Sequence, residues 1–354
     1  MKYLKKLVLA AVMILALAGQ ESPAGAAGLQ GLDVENLPEW EMNNVSQGGT
    51  LLFSDSPEMV SENGILYQDQ VTGSARLFFY HVNAAARAKK VDVMLENKNK
   101  EAVRVSVSQY GLGGPGYDWM AVGKKAMTSY LAGSKEYSVN VPPGGMVPLA
   151  AEISETAVLP NMLINGIFDF SADHPINVKV MMLPILENSD AFAKTAKTLP
   201  ADQPHLRGTF SGANRRLSPI FAYDPAQDGA VALTLADNGV DHYLEGIDAT
   251  DGSRVVDYGN YGVVYHILFS SKKGGKVAYY FVPLGGDYAG AIGIQHPDVY
   301  WSPQATPMGR TSFGTDKAKE FTFMGTYDSG DPITFIFSPP GASNLPVEIV
   351  VLPQ

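Results

Sequence analysis

Acidic residues crowd one short stretch of the chain, where carboxylate oxygens could bind a hard cation. They are Asp237, Asp241, Glu245, Asp248 and Asp251. Calcium outside the cell occupies oxygen-rich loops of this kind, but the spacing is not that of an EF-hand. The turn formers Asn238-Gly239 and Asp251-Gly252 indicate solvated hairpin tips, which would explain most of these acids. We therefore predict no cofactor, with calcium as the alternative.

Motifs for nucleophilic, metal or nucleotide chemistry give no positive signal. The six histidines are too scattered for H-x-x-x-H or H-E-x-x-H spacing, and no G-x-S-x-G occurs. Gly111 to Gly116 satisfies G-x-G-x-x-G, but Pro115 removes an amide donor and the preceding strand is expected in an antiparallel hairpin. We interpret this stretch as a structural glycine-rich turn and predict no catalytic residue.

Aromatic residues in loops are the stronger candidates for a binding site, because exposed rings stack on the faces of sugars. Rings that only pack a loop against the core are the alternative explanation. The candidates in the second half of the chain are Tyr258, Tyr261, Tyr288, Tyr300 and Trp301, and those in the first half are Tyr117 and Trp119.

The N-terminus has the pattern of a secretory signal peptide. Lys2, Lys5 and Lys6 precede a wholly apolar run from Leu7 to Ala18, which is too short to span a bilayer. We predict a signal peptide over residues 1–26, with cleavage after Ala18 as the alternative. The protein should be exported, to the extracellular space, the cell surface or the periplasm.

Composition restricts the partners. The chain has no cysteine, so neither a disulfide nor a lipid-anchoring cysteine is available, and its net charge is -10. An acidic surface repels phosphate backbones and anionic lipid headgroups. We expect no nucleic acid partner and no transmembrane segment after the signal peptide.

Short alternating runs and many turn residues predict a mainly β protein. Residues 103–108 and 137–141 alternate apolar and polar side chains, and Ile333, Phe335 and Phe337 share one face. Helical periodicity is confined to about 118–131 and 189–197. The polar turn at 97–100 predicts a hairpin between residues 91–95 and the strand that starts at Val103.

The midpoint of the chain has a proline-bearing polar stretch that is typical of a linker. We predict two tandem antiparallel, jelly-roll-like β-sandwich domains with short accessory helices, over 29–198 and 204–354, joined by 199–203. The first would carry a hairpin and glycine-rich insertion at about 83–134. Four short ordered matches between the halves, such as Tyr80-His81-Val82 with Tyr265-His266-Ile267, indicate a duplicated β domain.

Three phrases resemble a known group of proteins: His205-Leu206-Arg207-Gly208-Thr209-Phe210, Asp248-Ala249-Thr250-Asp251-Gly252 and Tyr258-Gly259-Asn260-Tyr261-Gly262-Val263. They are similar to secreted bacterial proteins that often also carry a copper-amine-oxidase-type N-terminal stalk domain. The resemblance implies a secreted or cell-surface role. We expect no stalk domain in this chain, because candidate strands begin near Thr50, and no copper site is carried over.

These observations favour an exported, non-catalytic binding module for carbohydrate or cell-wall polymer. One alternative is a secreted polysaccharide hydrolase or lyase, which needs two carboxylates converging in a cleft. The other is a structural or assembly protein of the cell surface, which an exposed edge strand or a large apolar patch would favour.

Overall fold

Half of the chain is extended, as the alternating patterns predict. The structure, a computed structural model, describes residues 28–29, 31–314 and 320–354. It is 50% strand and 9% helix, which confirms the mainly β prediction. The predicted signal peptide, residues 1–26, lies outside the described residues. Residues 28, 29, 31 and 32 belong to a separate unit, in which Leu32 N donates to the Leu29 carbonyl at 3.2 Å.

The described strands are numbered here in chain order. They are β1 (Met42–Gln47), β2 (Thr50–Ser54), β3 (Met59–Val60), β4 (Gly64–Asn83), β5 (Lys89–Glu96), β6 (Val103–Gly116), β7 (Tyr137–Val141), β8 (Met146–Pro148), β9 (Leu163–Pro184), β10 (Arg207–Ser211), β11 (Asn214–Pro219), β12 (Val231–Leu235), β13 (Glu245–Ile247), β14 (Arg254–Val256), β15 (Val264–Phe269), β16 (Lys276–Pro283), β17 (Gly290–His296), β18 (Val299–Thr306), β19 (Thr322–Asp328), β20 (Ile333–Phe337) and β21 (Val347–Pro353).

Three described α-helices accompany the strands. They are α1 (Trp119–Ala132), α2 (Ala151–Ser154) and α3 (Ser189–Thr195). The side chain of Asp118 caps α1 by accepting from Ala121 N, and that of Asn188 caps α3 by accepting from Ala191 N. The two predicted helical stretches are thus confirmed to within two residues at each end.

The described strands form three sheets. Six strands follow the order β1-β11-β15-β20-β17-β18, and four follow β12-β21-β16-β19. The largest sheet has eleven strands, with the path β14-β13-β10-β2-β4-β9-β5-β8 and with β3, β6 and β7 attached beside it. Most pairs are antiparallel, whereas β2 runs parallel to β4 and β11 runs parallel to β15.

The long strands β4 and β9 separate two hydrophobic cores. Phe78 belongs to one core and its neighbour Phe79 to the other, and Ile167 and Phe168 are divided in the same way. Successive side chains of a strand point to opposite faces, so both faces of this β4–β9 region are buried. Each fully buried Phe contributes about 1.5–3 kcal/mol relative to an exposed one.

Strand pairing crosses the predicted linker at 199–203. Strand β10 pairs with β2, and β1 pairs with β11, so two sheets contain strands from both sides of the linker. The chain from Asp33 to Gln354 forms one compact unit. The division into domains 29–198 and 204–354 therefore stays a prediction. Two of the sheets contain strands from both of these ranges.

The predicted hairpin of residues 91–108 is wrong in its pairing. Strands β5 and β6 both form, but each pairs with β9. The glycine-rich stretch is not a turn either, since Gly111 to Gly116 continues strand β6. A Cβ on Gly111 would lie 2.2 Å from the Ala126 carbonyl, and one on Gly113 would lie 2.0 Å from the Val122 carbonyl. The glycines let α1 lie directly on the strand.

The sequence matches between the halves do not extend to strand pairing. Tyr80 and Gly166 lie on β4 and β9, which pair with each other. Their counterparts Tyr265 and Gly325 lie on β15 and β19, which belong to different sheets. The matching sequence segments of the two halves therefore belong to strands with different pairing partners.

Candidate functional site

The loop between β14 and β15 exposes one aromatic ring that meets a second ring. Tyr258 is 57% exposed, and its ring centroid lies 6.0 Å from that of Tyr243, with the ring planes at 84°. Tyr243 precedes β13 on a neighbouring loop and is half-buried. The two rings form an open aromatic corner, which we call the Tyr243–Tyr258 corner.

Buried hydrogen bonds hold both loops of this corner. Asn260 adopts a left-handed conformation with φ 54, and its amide donates to the Tyr265 hydroxyl at 2.8 Å. The Asn260 side-chain oxygen accepts from Leu244 N at 2.8 Å, one residue after Tyr243. A single buried amide thus joins the two loops, so their aromatic rings are presented on a fixed backbone.

Tyr243 stays protonated around neutral pH. Burial and the nearby carboxylates of Asp237 and Asp241 raise the pKa of its hydroxyl above the ordinary value of 10. The hydroxyl is therefore available as a hydrogen-bond donor beside the exposed ring of Tyr258. A site of this kind offers an apolar face and a polar group to the same ligand.

Two predicted ring candidates are engaged with the core. Tyr288 is 0% exposed and contacts Phe281 at 5.0 Å. Tyr261 stacks on Phe53 at 6.3 Å, and its hydroxyl donates to the Ser343 carbonyl at 2.6 Å. Tyr288 fills the core and has no free face for a ligand. Tyr261 is partly buried, and its contacts hold the loop that carries Tyr258 against the core.

Strand β18 exposes Tyr300 and Trp301 on opposite faces. Tyr300 is 90% exposed, and Trp301 is 36% exposed. The Trp301 indole covers Gly293, where a Cβ would lie 2.2 Å from the ring, and its Nε1 donates to the Leu131 carbonyl at 3.0 Å. Because neighbours on a strand point to opposite faces, these two rings do not form one platform.

The first-half candidates lie at the start of α1. Tyr117 is 63% exposed, and Trp119 is half-buried with its Nε1 donating to the Asn161 carbonyl at 3.2 Å. Within the described part of the chain, no ring contact joins any two of the seven predicted rings. The exposed pair instead includes Tyr243, which is not among the predicted rings.

The acidic stretch divides into two separate hydrogen-bonded groups. Asp241 is 1% exposed and accepts from the guanidinium of Arg215, from Asn44 Nδ2 at 2.9 Å and from the Tyr265 hydroxyl at 2.6 Å. Asp237 accepts from the backbone of Val240 and Asp241 at 3.1 and 2.8 Å. These carboxylates already have protein partners.

Asp248 forms the second group. It is fully buried and accepts from Arg207 Nε at 2.7 Å, from His205 Nε2 at 2.8 Å and from the Thr250 hydroxyl at 2.6 Å. Burial alone would raise the pKa of Asp248, but the hydrogen bonds from Thr250, Arg207 and His205 outweigh burial and lower it.

His205, Asp248 and Asp251 form the one set of three metal-ligand side chains that lie together among the described residues. A cation there would have to share an Asp248 oxygen with the Arg207 guanidinium, which is electrostatically unfavourable. Asp251 already accepts from the Ser253 hydroxyl at 2.6 Å, and Glu245 is exposed outside this set. The arrangement fits an arginine-neutralised turn better than a calcium site.

A third group of carboxyls could not be recognised from the sequence. Burial, with the negative charges of Glu58, Asp202 and Asp257, raises the pKa of Asp55 well above its ordinary range. Burial likewise raises that of Asp257, which is 0% exposed. One oxygen of each lacks a hydrogen-bond partner. These residues lie 202 positions apart, so no local pattern links them.

Comparisons with known proteins give little further information. No family model and no curated protein matches the chain. Among solved structures, the CUB1-EGF-CUB2 domains of rat MASP-1 are 9% identical, with 83% of this chain and 99% of that chain covered and a TM-score of 0.22. The corresponding human MASP-1/3 domain is 11% identical, with coverages of 88% and 98% and a TM-score of 0.19. Oxalate decarboxylase of Lactobacillus farciminis is 10% identical, with coverages of 90% and 86% and a TM-score of 0.16. Such scores support no inference about fold or function.

In the described part of the chain, no helix combines the length and apolar character needed to cross a membrane.

Proposed function

We propose that this protein is an exported, non-catalytic binding module of the cell envelope or the extracellular space, and that its ligand is carbohydrate or cell-wall polymer. The observation that supports the proposal is the Tyr243–Tyr258 corner, an exposed ring and a half-buried ring at 84° on two loops joined by Asn260. The corner would bind the apolar face of a sugar ring, and the Tyr243 hydroxyl would bind its hydroxyl groups.

Charge favours an uncharged polymer over an acidic one. The net charge of the chain is -10, and Asp237 and Asp241 lie near Tyr243. An anionic polymer would be repelled by these carboxylates, whereas a neutral glycan would not. The proposal therefore names neutral polysaccharides as the ligand class to examine first.

The proposal includes an architecture of two tandem, jelly-roll-like sandwiches. Two hydrophobic cores on opposite faces of the β4–β9 region support it. Secretion and the resemblance to secreted bacterial proteins belong to the same proposal. In this arrangement the loops at the ends of the strands carry the ligand site, as in other sandwich proteins.

The proposal is tested by co-sedimentation of the purified protein with isolated cell walls and insoluble neutral polysaccharides, followed by an assay of released sugars. Wild-type protein should pellet without releasing sugar, and the Tyr243→Ala/Tyr258→Ala double variant should stay in the supernatant. Tyr300→Ala is the matched control, because it removes a 90% exposed ring outside the corner and should pellet like wild type.

Two results would overturn this function. Release of soluble sugars would establish a hydrolase or lyase instead. Such an enzyme needs two carboxylates that face an open cleft, and Asp257, the buried partner of Asp55, does not reach solvent. Absence of pelleting with every polymer would leave the second candidate, an assembly protein.

One observation favours an assembly role as that second candidate. Strand β1 lies at the end of the six-stranded sheet, and five of its six residues are exposed. No described strand pairs with its outer edge, so its backbone amides and carbonyls are free to pair with another chain. Light scattering over a range of protein concentrations would show self-association, and Val45→Pro, placed in β1, should abolish it.

A further inference from the structure

A polar cleft of about 590 Å³ lies where three turns of the chain meet. The β1–β2 turn provides Gly48 and Gly49, the β10–β11 turn provides Gly212, and an irregularity in the pairing of β4 with β9 between Val71 and Gly73 provides the third side. Its volume falls within the range of about 300–1,000 Å³ that is usual for small-molecule sites. It shares no lining residue with the Tyr243–Tyr258 corner.

The backbone around this cleft is packed tightly. The Gly49 carbonyl accepts from Gly212 N at 3.2 Å and from Ala213 N at 3.0 Å, which joins two of the turns. A Cβ on Gly49 would lie 1.9 Å from the Ser74 carbonyl, so only glycine allows the third side to approach. The walls are therefore formed before any ligand arrives, which reduces the entropy lost on binding.

The side chains that line the cleft are all neutral and polar. They are Thr50, Thr72, Ser74, Ser211 and Asn214. Among the described residues none of these side chains has a hydrogen-bond partner, and the Asn214 side-chain oxygen is shielded from solvent. The hydroxyls that face the cleft are therefore free to hydrogen-bond a ligand, whereas the Asn214 oxygen becomes available only if its side chain turns.

The lining selects one chemical class of ligand. A phosphate or carboxylate site needs basic groups, a cation site needs carboxylates, and an apolar site needs hydrophobic walls; this lining has none of them. Four hydroxyls that each donate and accept, together with one amide, match a ligand that carries several uncharged hydroxyl groups.

We propose that this cleft is a binding site for an uncharged saccharide unit, either a soluble oligosaccharide or the end of a neutral glycan chain. The inference does not depend on the Tyr243–Tyr258 corner, because the two sites have no residue in common. It adds a hydroxyl-lined site to a protein whose aromatic corner is proposed to bind polymer.

The test is calorimetric titration of the purified protein with maltohexaose, cellohexaose and chitohexaose. The variant is Thr50→Val/Ser74→Ala, which removes two hydroxyls at nearly constant volume. Because neither hydroxyl has a protein partner, the variant should fold with an unchanged melting temperature. The matched control is Thr326→Val, an exposed threonine on β19 outside the cleft.

We expect at least one probe to bind wild type and Thr326→Val equally, and to bind the cleft variant about tenfold more weakly, a loss of about 1.4 kcal/mol. Hydrogen exchange should slow in peptides covering 47–54 and 211–216 when that probe is present. Tyr258→Ala should keep this slowing at 47–54 and 211–216 whatever affinity it loses at the corner, so failure of the corner and failure of the cleft are distinguishable.

Three results would overturn the inference: no binding of any of the three probes to wild type, equal binding to the cleft variant, or loss of the slowed exchange at 47–54 and 211–216 in Tyr258→Ala. Binding of oligogalacturonate as tightly as the neutral probes at the same peptides would also overturn it, because the ligand class would then be wrong.

Discussion

Arg76 and Asp169 form a bidentate ion pair between β4 and β9: Arg76 Nε lies 2.5 Å from Asp169 Oδ1, and Nη2 lies 3.0 Å from Oδ2. The Arg76 side chain is only 5% exposed. Its remaining donor, Nη1, reaches the backbone carbonyls of Ala213 and Gly262, from much later in the chain. One guanidinium therefore connects the β4–β9 pair to two segments beyond the predicted linker.

Removing the carboxylate of this pair should destabilise the protein strongly. Asp169→Ala leaves a buried guanidinium without a counterion, and we expect the free energy of unfolding to fall by about 3–5 kcal/mol. Urea denaturation measures the change. The control is Lys276→Ala, which breaks the exposed Lys276–Asp328 pair and should cost less than about 1 kcal/mol. Equal effects of the two substitutions would contradict the role given to Arg76.

Replacing Gly123 in α1 by alanine should destabilise the protein, although helix propensity alone predicts the opposite. Gly123→Ala should gain about 1 kcal/mol from propensity alone. In the folded protein, however, a Cβ at Gly123 would lie 1.9 Å from the Gly341 carbonyl. We expect a net loss of about 1–3 kcal/mol, because α1 must shift away from the backbone at Gly341. The measurement is thermal unfolding of Gly123→Ala, with Lys125→Ala, an exposed substitution in the same helix, as the control. A higher melting temperature for Gly123→Ala would refute the close contact with Gly341.

The burial of Glu348 makes stability depend on pH. Burial, with the charges of Glu39 and Glu35, raises the pKa of Glu348 from 4.5 to about 8. Between these values the folded protein keeps a proton that the unfolded chain releases, so the free energy of unfolding falls as pH rises through this window. Below about pH 4.5, the stabilising contribution of the raised Glu348 pKa is fully present.

Glu348→Gln should remove that dependence while keeping the shape of the side chain. The stability of the variant relative to wild type should increase steadily from about pH 5 to about pH 8, as measured by urea unfolding at several pH values. A constant difference across this range would show that Glu348 ionises in the folded state as it does in the unfolded chain.

His81 should remain neutral in the folded protein at mildly acidic pH. Burial lowers its pKa from 6.5 to about 4, although a hydrogen bond with the Pro57 carbonyl at 3.0 Å partly opposes the shift. Since the unfolded chain takes up the proton first, His81 destabilises the fold as pH drops from about 6.5 to about 4. Carbon NMR of labelled histidine, with His81→Gln to assign the signal, should show no titration above about pH 5. A midpoint near 6.5 would contradict this.

Two tyrosines from the same predicted set should differ in their effect on stability. Tyr288→Ala empties a fully buried position and should cost about 3–5 kcal/mol, whereas Tyr258→Ala changes a ring that is 57% exposed and should cost less than about 1 kcal/mol. Chemical denaturation of both variants checks the difference. Similar losses would mean that Tyr258 packs into the core and is unsuited to ligand binding.

Periodicity predicted the local elements because strands and helices differ in the spacing of apolar residues along the chain itself. The strand at 137–141 and the helix predicted at about 118–131 are both confirmed, the latter as Trp119–Ala132. Strand partners were not predictable in this way. Residues 91–108 looked like a hairpin because their turn is local, yet both strands pair with β9, which lies about 50 residues or more further along the chain.

The sequence by itself determined the mainly β class, the helix positions and the absence of disulfides, since each follows from residue type and short-range spacing. Only the tertiary structure decided which rings reach solvent. Tyr258 and Tyr288 are both aromatic residues near loops, but one is exposed and the other is enclosed by Phe281 and Phe313. It also placed Thr50, Ser74 and Ser211 around one cleft. Burial depends on what distant segments cover a residue, and that information is not contained in its neighbours along the chain.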